Sequence, residues 1–142
     1  MFESHFDPLP ENIKQELMEL SKIVKPIYDV GEVGLIYLDN KRMEEIFTPY
    51  MKKYFNKEGT FKRAWIHWMK NGGSRARHQH GHWTYLYYLE IPEGDAGNLL
   101  VDGQVVKPIQ GTHIMFPKQT YHSITPNNTE NTRWAFAAEC VI

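Results

Sequence analysis

After Thr60, the sequence alternates short apolar or aromatic runs with turn-forming residues, and this pattern limits the possible folds more than any other feature. The pair Asp102-Gly103 is a strong signal for a β-hairpin, and Asn71-Gly72-Gly73 also predicts a turn. About eight short strands separated by regular turns are typical of a jelly-roll barrel or sandwich. The predicted strands cover 64–69, 75–80, 84–91, 98–101, 104–107, 112–116, 121–125 and 132–141.

The first part of the chain has a helical pattern instead. Apolar residues three or four positions apart predict one helix that begins after Pro10 and ends at Pro26. Residues 33–38 predict a short strand, and 42–55 predict a second helix with a kink or break at Pro49. We therefore expect a single domain over 1–142, with a helical cap and a short strand at 1–59 and a β core at 60–142.

Composition excludes several classes of protein. The chain is 42% hydrophobic and 23% charged, values that exclude disordered, collagen-like and coiled-coil chains. No apolar run approaches the length of a membrane span, so we expect no membrane association. Cys140 is the only cysteine, which rules out an intrachain disulfide and fits a reducing compartment, so the predicted location is the cytoplasm.

Positive charge is concentrated in residues 41–77, which hold ten basic and three acidic residues. Such a segment can attract an anionic partner. The simpler interpretation is a solvated helix face followed by a strand. We expect no nucleic-acid partner, because no nucleic-acid-binding motif accompanies the charge. Edge strands of jelly rolls often pair, so a homodimer is possible.

Three of the seven histidines lie within five residues, in the segment His78-Gln79-His80-Gly81-His82. Residues two apart on a strand point to the same face, so His78 and His80 can present two imidazoles to one point. A metal needs a further ligand from another strand, and His122 is the natural candidate. Neutral imidazoles suit iron, zinc, copper or nickel. We predict a metal site of His78, His80 and His122, with His82 as an alternate ligand.

The spacing of these residues resembles the two metal motifs of the cupins. Gly72, His78 and His80 match the first motif, and Gly111, Pro117 and His122 match the second. Two positions differ from that pattern: Thr84 or Tyr85 stands where cupins carry a glutamate, and Gln119 replaces a glycine.

The last third of the chain also resembles the small Fe(II)/2-oxoglutarate-dependent oxygenases, which share the double-stranded β-helix with cupins. The resemblance rests on Gly111 to Pro117, on His122 to Asn127, and on Arg133, which follows the last histidine at the spacing typical of that family. It implies Fe(II) as the metal and 2-oxoglutarate as a cosubstrate, with Arg133 binding the distal carboxylate. A guanidinium suits this role because it binds a carboxylate bidentately. Arg133 shares a strand face with Ala135 and Ala137, and these small neighbours leave room for a diacid.

Tyr85, Tyr87 and Tyr88 cover both faces of one predicted strand, and we take Tyr85 as the phenol that hydrogen-bonds the cosubstrate. His67 is predicted to line the cavity or to lie in the core with its hydrogen bonds satisfied, and the second interpretation is favoured. His113 is predicted to be structural or to face solvent. The family implied by the resemblance uses two histidines and a carboxylate, whereas here the second position is a histidine. The predicted function is a metal-dependent oxidoreductase, a 2-oxoglutarate-dependent dioxygenase that hydroxylates an unknown substrate. A cupin-type dioxygenase or isomerase that does not use 2-oxoglutarate, or a non-catalytic cupin that binds metal or a small ligand, remains an alternative, as does another divalent metal.

Overall fold

The computed structural model describes residues 2–23 and 28–142. Its elements are β1 (Glu3–Phe6), α1 (Glu11–Ile23), β2 (Tyr28–Val30), β3 (Val33–Tyr37), α2 (Asn40–Phe55), β4 (Thr60–Met69), β5 (Arg75–His78), β6 (Trp83–Glu90), β7 (Leu99–Val101), β8 (Gln104–Val106), β9 (Thr112–Phe116), β10 (His122–Ile124) and β11 (Arg133–Val141).

The strands form two antiparallel sheets. The larger sheet has the order β1-β9-β6-β11-β4-β3-β2, and the smaller has the order β5-β10-β7-β8. Apolar side chains of both sheets form a shared core, in which Met69, Leu86 and Ile114 of the large sheet meet Leu99 and Ile124 of the small one. This arrangement is the double-stranded β-helix that the sequence predicts.

The two faces of β11 have different surroundings. Phe136, Ala138 and Cys140 belong to the core under the helices, whereas Arg133 and Ala135 lie on the face that points between the sheets. The alternation predicted for this strand is confirmed. Because β11 pairs with β4 on one side and β6 on the other, its side chains have fixed neighbours along nine residues.

Helix α2 covers the outer face of the large sheet. Its buried residues include Met43, Phe47 and Met51, and the Phe47 ring stacks on Phe136 at a centroid distance of 4.0 Å. The Asp39 carboxylate accepts a hydrogen bond from the Arg42 N–H and caps the first turn.

Several local expectations differ from the structure. A kink or a break is predicted at Pro49. The break is wrong, because α2 continues through this residue as one helix. The expectation that 1–59 contributes one strand is also corrected, since β1 pairs with β9 and β2 pairs with β3 in the large sheet. The predicted strand 75–80 ends at His78. Pro26, which is predicted to end the first helix, lies outside the described residues. Among the described helices, none is long and apolar enough to cross a membrane.

Candidate metal centre and buried arginine

The structure brings His78, His80 and His122 together. His78 and His122 are directly opposite each other in the antiparallel pair β5–β10, with ring centroids 4.1 Å apart. His80 lies two residues beyond the end of β5, where its backbone carbonyl accepts a hydrogen bond from the Gln119 N–H at 2.8 Å. One ligand nitrogen from each histidine lies within 4.8 Å of the other two, a grouping that can hold one metal ion.

Hydrogen bonds fix which ring nitrogen each histidine offers. The Nδ1 of His78 lies 2.7 Å from the Ala76 carbonyl, and the Nδ1 of His122 lies 3.0 Å from the Thr120 carbonyl. The Nδ1 of His80 lies 2.8 Å from Oε1 of Glu139. Carbonyl and carboxylate oxygens only accept hydrogen bonds, so each Nδ1 donates its hydrogen and each Nε2 keeps a free lone pair. Partners of this kind orient metal-bound histidines in proteins.

Burial keeps two of these imidazoles neutral. It lowers the pKa of His122 to about 4. It also lowers the pKa of His80, although the neighbouring Glu139 carboxylate acts in the opposite direction. Because a metal binds the neutral imidazole, these shifts favour metal binding near neutral pH. The residues present therefore fit a divalent metal held by nitrogen.

A cavity opens beside the three histidines. Five apolar side chains from both sheets line it together with the three histidines, and His67, Arg75 and Thr84 complete the lining. Thr84 is the inward-facing residue where the cupin pattern carries a glutamate, so no carboxylate enters from that position. His82 is not part of the three-histidine group found among the described residues.

Arg133 is fully buried on the inner face of β11. None of its three side-chain nitrogens has a hydrogen-bond partner among the described residues. Its guanidinium carbon lies 5.3 Å from the centroid of the Tyr88 ring, and burial lowers its pKa. Strand β11 is an inner strand of the large sheet, so Arg133 does not lie at a sheet edge. A buried cation without a hydrogen-bond partner is costly, so this position suits an anionic ligand.

The structure corrects the interpretation of Tyr85. Its side chain lies on the helix-facing side of β6, packed near Phe47, and its hydroxyl hydrogen-bonds Nδ1 of His113. Tyr88, three positions on, faces the interior with a hydroxyl that has no hydrogen-bond partner in the described structure. Tyr88 is therefore the phenol beside Arg133. His113 is fully buried and structural, since its Nε2 also bonds the Asp7 carbonyl.

His67 is a cavity residue rather than a core residue with satisfied hydrogen bonds. It lines the same cavity as the three histidines, and its buried Nδ1 has no partner in the described part of the chain. Burial is the main cause of a pKa well below the usual value, so the ring is neutral. It lies directly opposite Ala135 on β11, two residues from Arg133.

Glu139 is a further residue at the site, beyond those predicted from the sequence. It is an acid in an otherwise apolar stretch of β11, on the same face as Arg133, and that pattern is the signal that could have found it. Its carboxylate lies between His80 and Arg63.

Much of the basic segment is engaged within the chain. Arg42 pairs with Glu16 and Glu45, at 2.7 and 3.0 Å. Lys52 lies near Glu58, Lys53 near Asp7, and Lys57 over the ring of Trp83. These contacts offset part of the positive charge that the sequence concentrates there.

Comparison with known proteins shows what the fold resembles. No family model matches the chain, and no curated protein matches it. Among solved structures, it is similar to an oxidoreductase of the 2OG-Fe(II) oxygenase family from Burkholderia pseudomallei, with a TM-score of 0.73, 14% identity, and coverage of 92% of this chain and 78% of the other. The viral collagen prolyl hydroxylase of Paramecium bursaria Chlorella virus-1, in a 2OG complex, gives a TM-score of 0.71 at 13% identity, covering 99% and 96%. A salicylate 1,2-dioxygenase from Pseudoaminobacter salicylatoxidans gives 0.52 at 17% identity, covering 91% and 31%. The chain thus has the double-stranded β-helix fold found in these oxygenases.

Proposed function

We propose that this protein is an Fe(II)- and 2-oxoglutarate-dependent dioxygenase that hydroxylates a substrate still to be identified. The observation that carries the proposal is the pairing of two features in one barrel. Three histidines each bring one ligand nitrogen within 4.8 Å of the other two, and a fully buried arginine has no hydrogen-bond partner among the described residues. The likeness to 2-oxoglutarate-dependent oxygenases supports the same function.

Each group has a defined role in this proposal. His78, His80 and His122 would hold the metal. Arg133 would bind the distal carboxylate of 2-oxoglutarate bidentately, and the Tyr88 hydroxyl and the neutral His67 ring would supply further hydrogen bonds to the cosubstrate. When bound, the iron supplies the oxygen chemistry that couples decarboxylation of the keto acid to oxidation of a C–H bond. Apolar residues around the cavity limit the access of water.

The length of β11 allows one ligand to contact both the metal held by the three histidines and the Arg133 guanidinium. Ala137 lines the cavity beside the histidines, and Arg133 lies four residues away on the same face. At a strand rise near 3.3 Å per residue, that separation is about 13 Å. A five-carbon diacid and the long arginine side chain can together span this distance.

An anaerobic titration tests the proposal. Apo protein receives Fe(II) and then 2-oxoglutarate while visible absorption is recorded. We expect a charge-transfer band that requires both additions, and in air we expect consumption of 2-oxoglutarate. If Fe(II)-loaded protein neither binds nor consumes 2-oxoglutarate, the proposal is wrong.

A second candidate is favoured by the histidine at position 80. Three neutral imidazoles give the site one negative charge fewer than two histidines and a carboxylate, and such sites occur in iron enzymes that do not use a keto acid. Under this candidate, Arg133 would bind the substrate itself. An Arg133→Gln variant with unchanged affinity for 2-oxoglutarate would favour this candidate, as would iron binding without a charge-transfer band. Absence of any metal binding would favour a non-catalytic binding module.

Location and partners are also proposals. A single, buried cysteine is compatible with the reducing cytoplasm. The expected partner is a small-molecule or polymer substrate, and a homodimer through exposed strand edges is possible. Size-exclusion chromatography with light scattering tests the oligomeric state.

A further inference from the structure

Glu139 occupies an inward-facing position near the end of β11. Its backbone is directly opposite Arg63 on β4 and Thr84 on β6. The side chain is only 9% exposed. Its Oε1 lies 2.8 Å from Nδ1 of His80, and its Oε2 lies 2.9 Å from Nε of Arg63. Two different contacts therefore fix the plane of this carboxylate.

His80 depends on such a partner more than the other two histidines do. His78 and His122 lie on paired strands, and each ring is held by the carbonyl two residues before it. His80 lies after the last residue of β5, so no strand pairing sets its ring. Its Nδ1 is held by a carboxylate from an inner strand of the large sheet instead.

We propose that Glu139 is a positioning residue for the metal site and acts through His80. It holds the His80 ring in one orientation, keeps the hydrogen on Nδ1, and places a negative charge next to a group of three neutral ligands. The three-histidine group contains no carboxylate ligand. The Glu139 carboxylate supplies the corresponding negative charge through a hydrogen bond to His80 instead of through direct contact with the metal. A carboxylate bonded to a metal-bound histidine increases the basicity of that ligand. The inference rests on the proposed metal site.

The experiment measures the affinity of the metal alone. Full-length apo protein and the variants E139A and E139Q are titrated with Co(II), and the dissociation constant is read from the visible absorption bands of the bound ion. We expect E139A to weaken Co(II) binding by about 10- to 100-fold. The glutamine of E139Q still offers an oxygen to the His80 Nδ1–H but carries no charge, so we expect a smaller loss.

The matched control is R63Q, which breaks the Arg63–Glu139 ion pair and leaves the Glu139–His80 contact. The Arg63 side chain is 46% exposed, so its removal leaves no cavity in the core. If Glu139 acts on the metal through His80, R63Q keeps Co(II) affinity close to wild type. A purely structural ion pair would lower the unfolding temperature in both R63Q and E139A and change Co(II) affinity in neither.

A double-mutant comparison isolates the pathway. In an H80A background, E139A should no longer change the Co(II) dissociation constant, because the residue through which Glu139 acts is absent. If E139A and E139Q, folded as judged by circular dichroism, bind Co(II) within twofold of wild type, the inference is overturned while the proposed metal site stands. If wild-type protein fails to bind Co(II), the proposed metal site and the inference both fail.

Discussion

Replacement of Arg133 by methionine should stabilise the ligand-free protein. The arginine side chain is fully buried, none of its nitrogens has a hydrogen-bond partner among the described residues, and its guanidinium carbon lies 5.3 Å from the centroid of the Tyr88 ring. Burial of an ion costs several kcal/mol even after relaxation, and a desolvated cation–π contact offsets about 2 kcal/mol of that cost. Methionine has a similar length and no charge. We therefore expect Arg133→Met to raise the free energy of unfolding without ligand by about 1–4 kcal/mol.

The same substitution should remove the stabilisation that 2-oxoglutarate confers. A ligand at 100 times its dissociation constant stabilises the native state by about 2.7 kcal/mol. We expect this gain in the wild type and no measurable gain in R133M. The difference in free energy of unfolding between the two proteins should therefore become smaller or change sign when 2-oxoglutarate is added. Under the proposed function, the free energy spent on the buried cation in the free protein would be recovered when the carboxylate binds.

The assay is urea unfolding followed by tryptophan fluorescence, with and without 2-oxoglutarate, in the presence of Mn(II) to avoid turnover. Arg133→Lys is the control, because it keeps a cation but loses the bidentate geometry, and it should show weaker stabilisation by 2-oxoglutarate. A ligand-free R133M protein less stable than wild type by more than about 1 kcal/mol would show that the buried charge does not destabilise the free protein. Undiminished stabilisation of R133M by 2-oxoglutarate would show that the carboxylate binds elsewhere.

Three further predictions concern stability and reactivity. Asn127 is fully buried, and its side-chain amide donates to the Met69 and Asn131 carbonyls at 2.8 and 2.9 Å. Asn127→Ala leaves both carbonyls without this donor and should lower the free energy of unfolding by about 2–4 kcal/mol. A loss under about 1 kcal/mol in urea unfolding would contradict this prediction. Burial raises the pKa of the Cys140 thiol to about 12. A thiol reagent at pH 8 should therefore label the native protein far more slowly than the urea-unfolded protein. Equal labelling rates would be inconsistent with the buried position of Cys140. Burial also lowers the pKa of His113 below its usual 6.5. Between the native and the unfolded pKa, the unfolded chain binds a proton that the native chain does not, so the free energy of unfolding should fall as pH drops below about 6.5. An equal free energy of unfolding at pH 7.5 and 5.0 would disprove this prediction.

The site residues predicted from the sequence are those whose signal is local. The spacing of His78 and His80, the later His122, and the placement of Arg133 beside small residues are all visible along the chain. The structure brings the three histidines together and places Arg133 inside the barrel.

Tyr85 shows where such signals fail. Strand β6 is buried on both faces, from Thr84 to Leu89, so its sequence lacks the polar alternation that would identify the inward side. The large sheet turns Thr84, Leu86 and Tyr88 inward and packs Tyr85 against α2. The inward phenol is therefore set by the packing on each face of the sheet.

The fold class, the turns between strands and the residue types of the site can be predicted from the sequence. They depend on side-chain alternation and on turn-forming residues a few positions apart. Tertiary structure alone decided the pairing of β1 with β9, the partnership of Glu139 with His80 and Arg63, and the isolation of Arg133 from hydrogen-bond partners. These features join residues from 59 to more than 100 positions apart in the chain, and their geometry follows from strand register and burial, which no local pattern specifies.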